Sequence, residues 1–384
     1  MDCSFLDWPF IPAQAADVHR RADRWADEAL PRLHDPREER PEAVAACCRP
    51  MVAAMGEAGL LDAATSLAAP LSAVRLALTR DALARHSGLA DFAFAMQGLG
   101  AGPISLFGTP EQKARHLPGV AAGRTLAAFA LSEKAAGSDV AAIATTARRE
   151  GEHYVLDGEK SWISNAGVAG LHVVFARTGE APGARGLSAF IVEAGTPGFA
   201  VSEIVELSAP HPLGSLRFEG CRVPASSMVG APGEGFRVAM ATLDVFRTTV
   251  GAAALGLARR ALEETIRHVR ARSLFGGRLA DLQMTQATVA ERATATDASA
   301  LLVYRSAWRK DQGHRVTRES AMAKFYATEE AQKTVDAAVQ LFGGLGVTKG
   351  HIAERLYRDV RALRIYEGAS EVQKLVIARA CLNE

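Results

Sequence analysis

Cysteine is scarce in this 384-residue chain, and the five present (Cys3, Cys47, Cys48, Cys221 and Cys381) are odd in number with two adjacent. That excludes a disulfide framework and a CxxC metal knuckle, and it predicts a reducing, cytoplasmic location. An excess of one charge is missing too: 44 Lys plus Arg face 43 Asp plus Glu, a formal net charge of +1. Nucleic-acid binders usually gather a basic excess on one face, so no nucleic-acid partner is expected. No uninterrupted apolar run approaches the roughly 18 residues of a membrane span. The first residues lack the basic start and apolar run of a signal peptide, so no membrane association is expected. Aromatics supply only 6%, and Ala-rich stretches such as Val250 to Ala261 point instead to closely packed helices. What is present is 48% hydrophobic residues with 23% charged, ample for a core and against disorder. At roughly 150 residues per domain, the length suits two or three domains.

The texture changes twice along the chain. From about Ala13 to Arg124 apolar residues recur at helical spacing, as in Met51 to Leu61 and Leu71 to Ala84. Pro70, the Gly98–Gly102 cluster and Gly108-Thr109-Pro110 read as breakers between helices. Between roughly Leu126 and Gly235 the period shifts to two. There Asp157-Gly158, between Tyr154-Val155-Leu156 and Lys160 to Ile163, reads as a tight hairpin turn. Leu171 to Ala176, Leu187 to Val192, Leu216 to Phe218 and Arg222-Val223 read as further short strands of a small barrel or sandwich. Long helices are predicted over Phe236 to Arg272, Gln283 to Gln312 and Thr317 to Phe342, the pattern of a bundle. Ser370 and Gln373 have the spacing of a capping box opening a last helix. The fold class is therefore α+β and multidomain: an N-terminal helical domain (1–125), a middle small β-barrel or sandwich domain (126–232) and a C-terminal four-helix bundle (233–384).

Common chemistries can be excluded. Gly98-Leu99-Gly100 opens like a dinucleotide fingerprint, but Pro103 holds the third glycine's place and no strand leads in. There is no P-loop and no G-x-S-x-G elbow. His351 and Glu354 are spaced to share a helix face, yet one His and one Glu make a poor metal site, so no metal is expected.

Three glycine-marked segments remain. In Phe129-Ala-Leu131-Ser132-Glu-Lys-Ala-Ala-Gly137-Ser138-Asp139, backbone N–H groups and hydroxyls surround a glycine turn. They suit a pyrophosphate or a heteroaromatic edge, or simply an ordinary turn. In Gly158 to Asn165, Trp162 and Ser164 alternate on a strand, so a flat ring and a hydroxyl are expected on one face. A core tryptophan is the competing explanation. The third segment runs from Gln340-Leu-Phe-Gly343-Gly344-Leu-Gly346 to Ile365-Tyr366-Glu367-Gly368-Ala369-Ser370-Glu371-Val-Gln373. Glu367 precedes a helix beside a glycine that allows close approach of a ligand, or it merely favours the helix dipole.

Together these segments resemble the acyl-CoA dehydrogenase family of flavoproteins. The resemblance covers about residue 50 to Leu382 and includes GTPEQKARHLPGVAAG (Gly108 to Gly123), FALSE-xxx-GSD, WISN, DVFR, RSLFG and YEG-x-S-x-x-Q. It implies an FAD enzyme that removes the pro-R α-proton of an acyl-CoA while a β-hydride passes to flavin N5. The product is a trans-2-enoyl thioester, and an electron-transfer flavoprotein is the implied acceptor. By position Glu367 is the implied base, its pKa raised by burial beside an acyl chain, and its N–H helps polarise the thioester carbonyl. The resemblance places Phe129, Leu131, Ser132, Gly137, Ser138, Trp162, Ile163, Ser164, Arg272, Phe275, Gln283, Gln340, Gly343, Gly344, Ala369 and Glu371 at the cofactor. Ser138, Asp244, Arg247, Tyr366 and Gly368 are the implied substrate contacts. A homotetramer built as a dimer of dimers is implied as well, with some cofactor contacts crossing subunits.

Departures from the family pattern are specific. Lys134 stands in place of a usual proline, Ala369 in place of a threonine, and Glu206 to Gly214 (ELSAPHPLG) in place of the M-G-x-R-x-S-x-T stretch. Phe246 occupies a second base position of the family; it cannot take a proton, which favours Glu367, and its bulk is expected to restrict the acyl pocket. An acyl-CoA oxidase or a carrier-protein-tethered acyl dehydrogenase shares fold and base. A nitroalkane oxidase would carry Asp at 367, and intact Glu367, Trp162 and Gly137-Ser138 argue against a non-catalytic flavin binder.

Overall fold

A computed structural model describes residues 3–67 and 69–383. The helices are α1 (Ala13–Leu33), α2 (Pro41–Glu57), α3 (Ala73–His86), α4 (Gly88–Phe107) and α5 (Pro110–Ala121). Strands follow: β1 (Ala127–Ala130), β2 (Thr146–Glu150), β3 (His153–Ser164), β4 (Leu171–Arg177), β5 (Leu187–Glu193), β6 (Phe199–Ile204), β7 (Leu213–Pro224) and β8 (Met228–Val229). The chain then returns to helix with α6 (Gly235–Ala271), α7 (Gln283–Asp311), α8 (Thr317–Phe342), α9 (Ile352–Leu363) and α10 (Ser370–Leu382). The α+β reading holds, with helices before and after the strands along the chain.

The chain divides into two compact units. One joins residues up to Arg37, Ser72–Asp91 and everything from Asp244, and the other holds Glu38–Leu71 and Phe92–Leu243. In the first unit a single core draws on α1, α3, α6, α7, α8 and α9 through residues such as Ala77, Leu255, Val303, Ala327 and Val360. Alanine is the commonest residue of that core, so helix axes approach closely and the core is filled by backbone proximity more than by side-chain bulk. Helix α6 is long and apolar enough to span a bilayer by composition, but most of it is buried inside the protein.

In the second unit eight strands form one sheet of order β6-β7-β3-β2-β4-β5-β8, with β1 added parallel to β4. The β2–β4 ladder that joins the two halves pairs Thr146 with Arg177. Both halves supply one apolar core, including Leu156, Phe218, Val174 and Phe190, which is the packing of a sandwich.

Several local expectations are corrected. Asp157-Gly158 is not a hairpin turn but a bulge inside the continuous strand β3, where the register against β7 shifts. The turn lies at Gly151-Glu152, between β2 and β3, with Gly151 at φ +58°. Leu216 to Phe218 and Arg222-Val223 are one strand, β7, not two. The Gly98–Gly102 cluster and Pro103 lie within α4 rather than breaking it. A Cβ on Gly100 would sit 2.6 Å from the Ala128 nitrogen, so the glycine serves the close approach of β1 to the helix. Buried Gln97 completes that junction, donating to the Thr125 carbonyl (2.9 Å) and accepting from the Ala127 N–H (3.0 Å).

Candidate active site

Glu367 lies in the short link between α9 and α10, at φ +51°. A non-glycine residue in the left-handed region costs about 1–2 kcal/mol, so the surrounding structure must enforce it. Glu329 of α8 holds both ends of the link, accepting from Arg364 Nε (2.8 Å) and from the Ser370 hydroxyl (2.6 Å). The Ser370 N–H also closes onto the Arg364 carbonyl at 3.1 Å. Ser370 is therefore not the N-cap expected from its spacing with Gln373: Ala369 occupies that position without a side-chain cap, and the serine's hydroxyl is committed to Glu329. Gln373 turns its amide to the Gly368 carbonyl instead, at 2.9 Å.

The Glu367 carboxyl has one oxygen, Oε2, that is buried and has no hydrogen-bond partner. Burial pushes its pKa above the ordinary carboxylate value, with Asp91 adding to the rise, while the Arg80, Lys324 and Arg247 cations oppose it. None of the three cations is hydrogen-bonded to the carboxyl. Arg80 is spent on a bidentate pair with Asp91 and a bond to Thr249 Oγ1. Lys324 donates to the Gly368 carbonyl at 2.8 Å, and Arg247 donates to Asp244 at 3.0 Å. An unpaired, desolvated carboxylate beside fixed positive charge can take a proton from a carbon acid and remain ionised beforehand. The Glu367 N–H donates no hydrogen bond among the described residues, which leaves it free for a carbonyl oxygen.

The remaining expected residues of this unit are spread more widely. Asp244 and Arg247 pair across one turn of α6, and Asp244 also accepts from Thr317. Tyr366, Gly368 and Ala369 belong to the Glu367 link, and Glu371 is exposed in the first turn of α10. Phe246 is wholly buried on α6. Arg272 precedes a two-residue hairpin whose tip, Phe275-Gly276, has positive φ at both residues, and Phe275 is 93% exposed. Gln283 opens α7, Gln340 lies exposed in the last turn of α8, and Gly343 ends that helix at φ +62° with Gly344 open beside it. Sequence reasoning missed Arg80, Lys324, Glu329 and Gln373's actual partner. The available signal was a charged residue inside an apolar helical stripe: Lys324 between Ala321 and Ala327, Arg80 between Ala77 and Leu83.

In the second unit the Phe129–Ser138 and Trp162–Ser164 segments come together. The Ser161 N–H donates to the Ser132 carbonyl at 3.0 Å. Buried Lys160 reaches the Leu131 carbonyl (3.1 Å) and Glu133 (2.7 Å), while Glu133 accepts from the Ala144 and Thr145 N–H groups. Desolvation lowers the Lys160 pKa to about 8, against the pull of Glu133. The expected alternation of Trp162 and Ser164 is interrupted: the register slips between Lys160 and Ile163, and Trp162 sits at φ +61°. The slip leaves Trp162 59% exposed and sends Ile163 into the core, so Ile163 offers only its backbone to a ligand. Leu131 is buried likewise, whereas Gly137 and Ser138 are exposed and a Cβ on Gly137 would meet nothing. An exposed indole, three hydroxyls (Ser132, Ser138, Ser164) and an open glycine turn fit a flat heteroaromatic ring carrying phosphates, as in FAD. The divergent stretch Glu206 to Gly214 puts the His211 ring 4.1 Å from that of Phe92, and burial lowers the His211 pKa to about 4.

Among the described residues, no group of three or more His, Cys, Asp or Glu could hold a metal ion. Residues 13–124, 128–221 and 233–382 match the acyl-CoA dehydrogenase N-terminal, middle and C-terminal domains respectively. The chain is 44% identical over 284 residues to acryloyl-CoA reductase (NADH) of Anaerotignum propionicum, covering 73% of this chain and 72% of that protein. It is 43% identical over 279 residues to the mitochondrial short-chain specific acyl-CoA dehydrogenase of Bos taurus, covering 72% and 68%. A solved structure described as an electron transferring flavoprotein of Acidaminococcus fermentans superposes with TM-score 0.89 at 33% identity, covering 97% of this chain and 99% of that one. The chain belongs to the acyl-CoA dehydrogenase family of FAD-dependent oxidoreductases.

Proposed function

We propose that Glu367 is the base that opens the acyl-CoA dehydrogenation, taking the α-proton of the thioester onto its carboxylate. The observation that carries this is the unpaired, buried Oε2 on a carboxyl whose pKa is raised by desolvation. FAD, when bound, supplies the acceptor for the β-hydrogen as hydride, so that loss of H⁺ and H⁻ leaves the Cα=Cβ double bond. The Glu367 N–H polarises the thioester oxygen and stabilises charge as the α-proton leaves. Phe129 to Ser138 and Trp162 to Ser164 hold the cofactor, Trp162 by covering its ring. Asp244, Arg247, Tyr366 and Gly368 serve the thioester side.

The exposed Phe275, with Arg272, Gln283, Gln340, Gly343 and Gly344, supports a homotetramer in which such residues reach a neighbouring subunit's cofactor. An electron-transfer flavoprotein is the proposed acceptor and the cytoplasm the proposed location.

The test is anaerobic flavin bleaching across aliphatic, branched, alicyclic and aryl-propionyl CoA thioesters and matching carrier-protein thioesters. We expect bleaching by at least one CoA thioester and none in a Glu367→Gln variant that retains FAD. Full activity of that variant would refute the base assignment. The divergent Glu206 to Gly214 stretch, with the His211 ring tilted against Phe92, favours including the carrier-protein arm; faster bleaching by those thioesters would reassign the carrier.

A further inference from the structure

Lys324 is completely buried on α8, and a buried ammonium persists only where it is hydrogen-bonded and its charge is balanced. Its Nζ donates to the Gly368 carbonyl at 2.8 Å. That oxygen also receives Gln373 Nε2, from α10, at 2.9 Å, and Gln373 is equally buried. Two donors from two helices thus converge on one carbonyl, in a turn where Glu367 and Gly368 both have positive φ, +51° and +94°. The fit is close: a Cβ on Gly368 would lie 2.3 Å from Gln373 Nε2. The charged groups facing Lys324 are Glu367, Glu329 on its own helix, Arg247 on α6 and Glu371 on α10.

We propose that Lys324 is a positioning residue for α-proton transfer: with Gln373 it clamps the Gly368 carbonyl, fixing the strained turn that aims Glu367, and its ammonium favours the ionised carboxylate. The inference rests on Glu367 being the base. A lysine suits the position better than a second amide because it delivers a hydrogen bond and a charge from one buried point. Burial lowers its pKa to about 8, so clamp and charge weaken together as the solution becomes alkaline.

The test compares FAD-loaded wild type, Lys324→Met, Lys324→Arg, Gln373→Leu and Glu367→Gln, using the acyl-CoA that bleaches the wild-type flavin fastest. A displacement of about 1 Å in an aimed group costs on the order of 10²-fold, so we expect that loss of flavin-reduction rate in Lys324→Met with substrate affinity little changed. Its acid limb should move to higher pH, and amide hydrogen exchange over residues 366–370 should rise. Lys324→Arg keeps donor and charge and should recover most of the rate and the acid limb. Gln373→Leu keeps the buried charge; raised exchange at 366–370 without a shifted acid limb is expected. A near-wild-type rate in Lys324→Met, or equal losses in the Met and Arg variants with an unmoved acid limb, would overturn the proposal. So would unchanged exchange in Gln373→Leu, the deciding variant if Lys324→Met does not fold. An active Glu367→Gln would instead bring down the base assignment, whatever Lys324 does.

Discussion

Arg80 and Asp91 face each other in two parallel hydrogen bonds, both 2.8 Å, with side chains 2% and 7% exposed. The pair acts on Glu367 from both signs: Arg80 is the strongest charge holding the Glu367 pKa down, and Asp91 pushes it up. Opposite shifts are therefore expected. Arg80→Met should move the acid limb of the pH–rate profile to higher pH, and Asp91→Asn to lower pH. Either substitution breaks a buried ion pair and should cost about 3–5 kcal/mol in urea unfolding. Shifts in the same direction would separate the pair from the base.

Glu367 should destabilise the folded protein at neutral pH. Its folded-state pKa is raised above the unfolded value of 4.5, so between the two pKa values the folded state binds more protons than the unfolded state. Stability from this group is present below the unfolded pKa and is lost as pH rises through the folded pKa. Glu367→Gln should accordingly unfold at higher denaturant than wild type at pH 7, with a smaller gap at pH 5. Paired urea titrations at the two pH values read the difference.

Glu133 gathers Lys160 and two backbone N–H groups beside the Phe129–Ser138 turn. Glu133→Ala leaves the Lys160 ammonium buried without its counter-charge and should cost about 3–5 kcal/mol. Because Lys160 also holds the Leu131 carbonyl, the turn should loosen. The flavin-to-protein absorbance ratio after purification should fall, and added FAD should restore it only in part.

Gly100→Ala reverses a familiar rule. In an open helix this change stabilises by about 1 kcal/mol. Here the new methyl would approach the Ala128 nitrogen at 2.6 Å, so a loss of about 1–3 kcal/mol is expected from thermal or urea unfolding.

The elements easiest to read from sequence were those whose pattern is local. The apolar period of Thr317 to Phe342 coincides with α8, and the short apolar run Leu187 to Val192 falls within β5. Punctuation misled where tertiary packing overrode it: Asp157-Gly158 bulges instead of turning, and Gly100 stays helical because β1 needs the space. At the candidate site, Glu367 was legible from its motif. Its supports were not, since Lys324 with Gly368, and Arg80 with Thr249, are joined across 44 and 169 residues of chain. A charged side chain on a helix looks solvated until its partner is known.

Among the described residues, four that are not glycine hold positive φ, namely Trp162, Asn165, Phe275 and Glu367, and each falls in a segment that the family motifs mark. At Asn165 a glycine would forfeit the buried amide's hydrogen bond to the Ala127 carbonyl, but it would relieve the backbone at the other three, so a library screened for heat resistance alone should drift toward glycine there. The same drift would strip out the indole and the carboxylate. The torsion angles at Trp162, Phe275 and Glu367 thus record where natural selection for turnover and laboratory selection for robustness would part company.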